Sequence, residues 1–184
     1  MAGGDPTPIL GLRPGDVPAL AFLCGDPARV DRIAAEWSDR RSVCALREFR
    51  VVTGVWRGLP LAAASTGVGA PGTAIVVEEL ARAGARTLIR IGNSGALAPD
   101  LALGELVVTT GAVRDDGTSR SYVVPEYPAA ADWRVVGALV EAARAAGARF
   151  RAGVTWSFDA FFARNARLAP DGALASAHYG GYWT

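Results

Sequence analysis

The segment Ser65-Thr66-Gly67-Val68-Gly69-Ala70-Pro71-Gly72-Thr73 is a glycine-rich turn between two apolar stretches of different periodicity. Pro60–Ala64, just before it, is short and apolar, as expected for a buried strand. After it, apolar residues recur at helical spacing as far as Gly84, and Pro71 suits the first helical turn. A strand, a glycine-rich turn and a helix in this order are typical of an α/β domain, so this segment decides the fold class.

Strands and helices alternate along the rest of the chain. The predicted strands are Ala19–Cys24, Phe49–Trp56, Pro60–Ala64, Thr87–Ile91, Glu105–Val113 and Arg149–Trp156. The predicted helices are Ala28–Trp37, the helix that begins near Pro71, and Ala129–Ala146. The order β-α-β-β-α-β-β-α-β predicts one domain over residues 1–184, with a largely parallel sheet. Residues 1–18 are expected to form an irregular arm, and Arg114–Tyr127 a functional or surface loop.

Composition excludes several classes of protein. The 184 residues are 51% apolar with a net charge of +1, which argues against disorder and against a nucleic-acid-binding surface. Cys24 and Cys44 belong to no metal-ligand cluster, so no metal site is expected. No secretory signal opens the chain and no stretch is apolar for long enough to cross a membrane, which predicts a reduced, cytoplasmic protein.

The first candidate binding segment is Gly25-Asp26-Pro27-Ala28-Arg29, directly after a predicted strand. In open α/β sheets, ligands bind beyond the carboxyl ends of the strands. Gly25 lets an anion approach the backbone, and the following helix start is expected to offer free N–H groups. Arg29 places its positive charge near the positive end of the helix dipole, so this position is unfavourable for a purely structural arginine. A simple capped helix start is the alternative.

Two further arginines and the single histidine are the other candidates. Arg90 lies in the apolar strand Thr87–Ile91, where a charge is costly unless it is paired, and a glycine-rich turn follows at once. A buried salt bridge or an edge strand is the alternative for Arg90. Arg47 precedes a strand and, taken alone, suits an exposed ion pair. His178 has no neighbours that would make it a base or a ligand. The residues alone therefore predict a site for a small oxyanion such as phosphate, held by arginines at strand ends.

Over residues 20–167 the chain resembles the uridine/purine nucleoside phosphorylases. The resemblance is carried by residues 65–80, which match the family signature except at Gly72, where serine is usual. It is also carried, in the family's order, by Gly25-Asp26-Pro27-x-Arg29, Arg47-Glu48-Phe49, Arg90-Ile91-Gly92-x-Ser94-Gly95-Ala96 and Ser157-Phe158-Asp159-Ala160-Phe161-Phe162. The resemblance implies a three-layer α/β fold whose central mixed, largely parallel sheet is flanked by helices.

The resemblance also implies roles for individual residues. The phosphate-binding positions are Gly25, Arg29, Arg47, Arg90 and Asn93, of which Arg90 is the catalytic one and Arg47 reaches a neighbouring subunit's site. The nucleobase-binding positions are Ser94, Gly95, Phe161, Asn165 and Arg167. Asn93 replaces a serine or threonine, and Asn165 is one methylene shorter than the usual glutamine. Ile9 replaces a histidine that contacts the 5′-hydroxyl across a subunit interface.

The implied reaction is reversible phosphorolysis of a nucleoside such as uridine, giving the free base and ribose 1-phosphate. It needs no cofactor beyond inorganic phosphate as co-substrate, and family members are homo-oligomers built from dimers. The family's Glu-Met-Glu ribose-binding segment and its last strand and helix are missing from this sequence. We therefore expect a C-terminally truncated domain, and the alternatives are a non-catalytic nucleoside- or phosphate-binding protein, a purine-type phosphorylase and a nucleosidase.

Overall fold

The computed structural model describes residues 4–161 of the chain. It divides between Gly95 and Ala96 into two units, each with its own sheet, and each unit is described separately.

A five-stranded sheet in the order β2-β3-β4-β1-β5 forms the centre of the first unit. Its strands are β1 (Leu20–Cys24), β2 (Ser38–Leu46), β3 (Phe49–Trp56), β4 (Leu59–Ser65) and β5 (Thr87–Arg90). β1 pairs in parallel with β4 and with β5, whereas β2, β3 and β4 form an antiparallel meander. The sheet is therefore mixed, and its parallel part is the part whose carboxyl ends converge.

Two helices cover opposite faces of this sheet. Alternate residues of β4 point to opposite faces, and α1 (Pro27–Ile33) and α2 (Ala70–Ala83) take one face each. Ala62 and Ala64 pack in a core cluster with Val76 and Leu80 of α2. Leu61 and Ala63 pack in a second cluster with Val30 of α1. The predicted three-layer arrangement of helix, sheet and helix is thus present in this unit.

The N-terminal arm is irregular, as predicted, but it is part of the core. Leu10, Leu12 and Val17 are buried against α2. Glu79, a buried residue of α2, accepts the backbone N–H of Ile9 at 2.9 Å on one oxygen and that of Leu10 at 2.6 Å on the other. A carboxylate buried in the helix therefore fixes the course of the arm.

One strand of this unit was not predicted, and the predicted end of one helix was wrong. β2 was not predicted as a strand, because Ser38–Leu46 is mostly polar and two register shifts interrupt its pairing with β3. α1 was predicted to continue to Trp37 but ends at Ile33. The residues that follow Ile33 form tight turns, in which the N–H of Trp37 donates to the Ala34 carbonyl at 3.1 Å. Trp37 is nevertheless buried, so its apolar spacing reflected burial and not helix.

The second unit has a three-stranded sheet in the order β7-β6-β8. Its elements are β6 (Leu106–Asp115), a 3₁₀ turn (Ser119–Ser121), β7 (Ala129–Ala130), α3 (Trp133–Ala145) and β8 (Phe150–Phe158). β6 pairs in parallel with β8 and antiparallel with β7.

The helix predicted over Ala129–Ala146 begins later than expected. Ala129 and Ala130 pair with β6 instead. Asp132 then caps α3, its side chain accepting the N–H of Arg134 at 2.9 Å. Alanine is compatible with either conformation, and the capping aspartate marks the true start of the helix. The prediction of a single domain over residues 1–184 stays a prediction.

Candidate active site

The carboxyl ends of β1, β4 and β5 lie side by side at one edge of the first unit's sheet. Cys24 is in register with Ser65, and Leu23 is in register with Arg90. Just past the ladders, the N–H of Thr66 donates to the Cys24 carbonyl at 2.8 Å, and the N–H of Ile91 donates to the Leu23 carbonyl at 2.7 Å. The strand ends that the sequence singled out are thus held together by backbone hydrogen bonds.

Glycines allow the turns after the strands to approach each other closely. A Cβ atom at Gly25 would lie 3.4 Å from the Gly67 carbonyl oxygen, so the two turns approach each other closely. Gly67 has a φ of +66°, and a Cβ there would lie 2.7 Å from Cγ of Glu48. A side chain at position 67 would therefore be strained and would also displace Glu48.

Arg29 and Arg90 converge electrostatically on one buried atom, the sulfur of Cys24. Burial raises the pKa of the Cys24 thiol, Arg29 and Arg90 both act to lower it, and Asp26 acts to raise it. Coulomb effects fade with distance, so both guanidinium groups lie within range of the end of β1. Two cations from different elements, α1 and β5, thus act on the end of β1.

Arg90 is the last residue of β5, and it is exposed. β5 is an edge strand of this unit's sheet, so the cost of burying an unpaired charge does not arise. The guanidinium lies directly against Gly92, where a Cβ would clash with Nη1 of Arg90. Gly92 therefore leaves room for the Arg90 guanidinium, a role that the sequence pattern alone did not assign to it.

The expectation of free N–H groups at the start of α1 was wrong for its first residues. Pro27 has no N–H, the N–H of Ala28 donates to the Asp26 carboxylate at 2.9 Å, and the N–H of Arg29 donates to the Asp26 carbonyl at 3.0 Å. Because Asp26 caps α1 itself, the first N–H groups of this helix are already engaged.

Arg47 lies in the turn between β2 and β3, with a φ of +56°. This turn is anchored to the end of β4, because the Ser65 hydroxyl donates to the Glu48 carbonyl at 2.6 Å and accepts the N–H of Arg50 at 2.8 Å. The ion pair considered for Arg47 is not found within residues 4–161, where no ion pair involves Arg29, Arg47 or Arg90.

The predicted nucleobase residues fall into three groups. Ser94 and Gly95, with the neighbouring Asn93, are exposed in the irregular stretch after β5. Phe161 belongs to the second unit, where it follows β8 and is 58% exposed. Asn165 and Arg167 lie outside the described residues, as does His178. Ile9, in the arm, is 36% exposed although its N–H is bound to Glu79.

Among residues 4–161, no group of three or more His, Cys, Asp or Glu side chains is arranged to hold a metal ion. Over the same range, no helix combines the length and apolar character needed to traverse a bilayer.

The first unit is thus an α/β unit with arginines and glycine-rich turns at the ends of its strands. The chain belongs to the phosphorylase superfamily, whose family model matches residues 19–175. It is 44% identical over 164 residues to the uridine phosphorylase of Thermococcus kodakarensis, covering 89% of this chain and 59% of that protein. It is 43% identical over 155 residues to the guanosine phosphorylase of Halorubrum lacusprofundi, covering 84% of this chain and 64% of that one.

The structural comparison agrees with the sequence comparison. The crystal structure of uridine phosphorylase from Vibrio fischeri superposes with a TM-score of 0.83 at 35% identity, covering 88% of this chain and 67% of that one. The fold predicted from the sequence is thereby confirmed. The chain spans about 60% of the length of the curated uridine phosphorylases that it matches, the share being 59% in one and 61% in another.

Proposed function

We propose that the chain is a nucleoside phosphorylase domain that cleaves a pyrimidine nucleoside such as uridine, using inorganic phosphate and no other cofactor. The observation that carries this proposal is the placement of two arginines at one edge of the sheet, beside the turns at Gly25 and Gly67. Arg29 lies in the first turn of α1, directly after β1, and Arg90 is in register with Leu23 at the end of β5. Two arginines and close-packed glycine turns suit a small, doubly charged oxyanion better than they suit a neutral ligand.

In this proposal the arginines act electrostatically, by holding the phosphate. Phosphate held by Arg29 and Arg90 lies below the sugar, where its negative charge stabilises an oxocarbenium-like transition state. The C1′–N bond breaks as a phosphate oxygen forms a bond to C1′, and the base leaves with the electron pair. Because nucleophile and sugar are held together, the reaction also gains from proximity. Arg47 and Asn93 are proposed to complete the anion site.

The identity of the base is proposed from the activities for which the relatives are named. Several of these are uridine phosphorylases, whereas the Halorubrum lacusprofundi relative is a guanosine phosphorylase at nearly equal identity. A purine-type phosphorylase is therefore the second candidate. We propose that Ser94, Gly95, Phe161, Asn165 and Arg167 contact the base.

Compartment and assembly are also part of the proposal. Cys24 and Cys44 are both free thiols, which suits a reducing, cytoplasmic compartment. A homo-oligomer built from dimers would bring Arg47 to a neighbouring site, and its partners would otherwise be only the nucleoside and phosphate.

Uracil release from uridine by the 184-residue chain, measured with and without phosphate, tests the proposed reaction. We expect release only with phosphate, together with ribose 1-phosphate as the second product. Equal release without phosphate would mean a nucleosidase. Release from guanosine but not from uridine would favour the purine-type candidate. No turnover of either nucleoside in folded protein would leave a binding protein, which ligand-induced thermal stabilisation would reveal.

A further inference from the structure

Asp159, directly after β8, is hydrogen-bonded to the loop that follows β6. Asp115 and Phe158 form the last matched pair of the parallel β6–β8 ladder. One residue beyond it, the Asp159 side chain accepts the backbone N–H of Gly117 at 2.8 Å. Asp159 therefore continues the link between the two strands after their backbone pairing has ended.

Asp159 is also connected to Phe161. The N–H of Phe161 donates to the Asp159 carbonyl at 3.1 Å, which makes a tight turn directly after the strand. The position of the Phe161 backbone thus depends on where Asp159 is held.

The loop that contains Gly117 is held in place by hydrogen bonds at both of its ends. Asp116, which is 8% exposed, accepts the N–H of Ser119 at 2.7 Å and so closes the start of the loop. At the other end, one guanidinium nitrogen of Arg114 donates to the carbonyls of Val124, Pro125 and Tyr127. A loop fastened at both ends provides a firm anchor for Asp159.

We propose that Asp159 is a positioning residue for nucleobase binding, which sets the placement of Phe161 by its hydrogen bond to Gly117. This inference rests on the proposed function and deepens it, because it makes the Asp116–Tyr127 loop part of the apparatus that selects the base. Phosphate binding, which is assigned to arginines of the other unit, does not depend on Asp159.

The test compares three variants of the full chain. Asp159→Ala removes the acceptor, and Asp159→Asn keeps an oxygen that can accept the Gly117 N–H. Asp132→Ala is the matched control, because Asp132 also accepts a backbone N–H in the same unit but does so as the cap of α3. Calorimetry measures the affinity for phosphate and then, in phosphate-saturated buffer, the affinity for uracil or for guanine, whichever the wild-type chain binds.

We expect Asp159→Ala to weaken base binding about tenfold, as when a charge-assisted hydrogen bond that orients a binding segment is lost. Phosphate affinity should stay within about twofold, Asp159→Asn should recover most of the base affinity, and Asp132→Ala should leave it unchanged. Unaltered base affinity in Asp159→Ala, or an equal loss in Asp132→Ala, would overturn this inference alone. A wild-type chain that binds neither phosphate nor either base would overturn the proposed function as well.

Discussion

The carbonyl oxygen of Thr66 approaches the first turn of α2 so closely that only glycine fits opposite it. A Cβ atom at Gly72 would lie 2.6 Å from that oxygen, well inside normal contact. Thr66 is held in turn by the Cys24 carbonyl, so it cannot retreat without disturbing the strand ends.

We therefore predict that Gly72→Ala lowers the free energy of unfolding by about 1–3 kcal/mol, the usual cost of overpacking. Gly137→Ala is the matched control, because Gly137 is an exposed residue inside α3 and a Cβ atom added there would meet nothing within 4 Å. Its replacement should raise stability by about 0.5–1 kcal/mol through helix propensity. Urea unfolding measures both changes, and equal stabilisation by the two substitutions would contradict the close approach at Thr66.

At the scale of secondary-structure elements, the N-terminal arm and α2 are joined through one carboxylate. Burial acts to raise the pKa of Glu79, but hydrogen bonds from Thr7, Leu10 and Ile9 outweigh it and leave the pKa lowered. The folded state thus favours the charged form. The corresponding stabilisation is complete above the unfolded-state pKa of about 4.3 and is lost as the pH falls through the lower folded-state pKa.

We predict that Glu79→Gln destabilises the chain by about 1–3 kcal/mol at neutral pH, because an amide cannot accept both arm N–H groups on two oxygens. The loss should shrink as the pH falls below the unfolded-state pKa of about 4.3 and through the lower folded-state pKa, where the wild-type carboxylate becomes protonated. Glu78→Gln is the control, since Glu78 joins an exposed i,i+4 pair with Arg82, and a change below about 0.5 kcal/mol is expected. Denaturation curves at several pH values measure both, and a pH-independent effect of Glu79→Gln would contradict this account.

The elements that the sequence predicted well are those whose patterns are strong. β1, β4, β5 and α2 were predicted within one or two residues, because apolar runs bounded by glycine and proline mark both ends. β2 was missed because its bulges break the two-residue period and its arginines suit an edge strand. The start of α3 was misplaced because alanine at 129–130 is neutral between strand and helix.

At the scale of the whole molecule, the sequence located the candidate site but not its detailed chemistry. Gly25, Arg29 and Arg90 were predicted to lie at strand ends, and they do. Three features depend on packing that no local pattern encodes: the capping of α1 by Asp26, the space that Gly92 leaves for Arg90, and the cover of Gly67 by Glu48. The roles of individual residues toward a ligand stay predictions.

All the residues that are proposed to bind phosphate belong to the first unit. Loss of phosphate binding should therefore follow from changes at the strand ends of the first unit alone. Arg90 is the residue on which this expectation depends most, because its guanidinium forms no ion pair within residues 4–161 and lies beside the end of β1.

Phosphate binding to the wild-type chain and to Arg90→Ala, measured by calorimetry, tests the central claim most directly. Arg82→Ala is the control, because Arg82 is an exposed arginine of α2 that pairs with Glu78 away from the strand ends. We predict that Arg90→Ala weakens phosphate binding at least about tenfold, the loss expected for a charge-assisted donor, with Arg82→Ala within about twofold of wild type. Equal phosphate affinity in all three proteins would contradict a phosphate site at the ends of β1, β4 and β5.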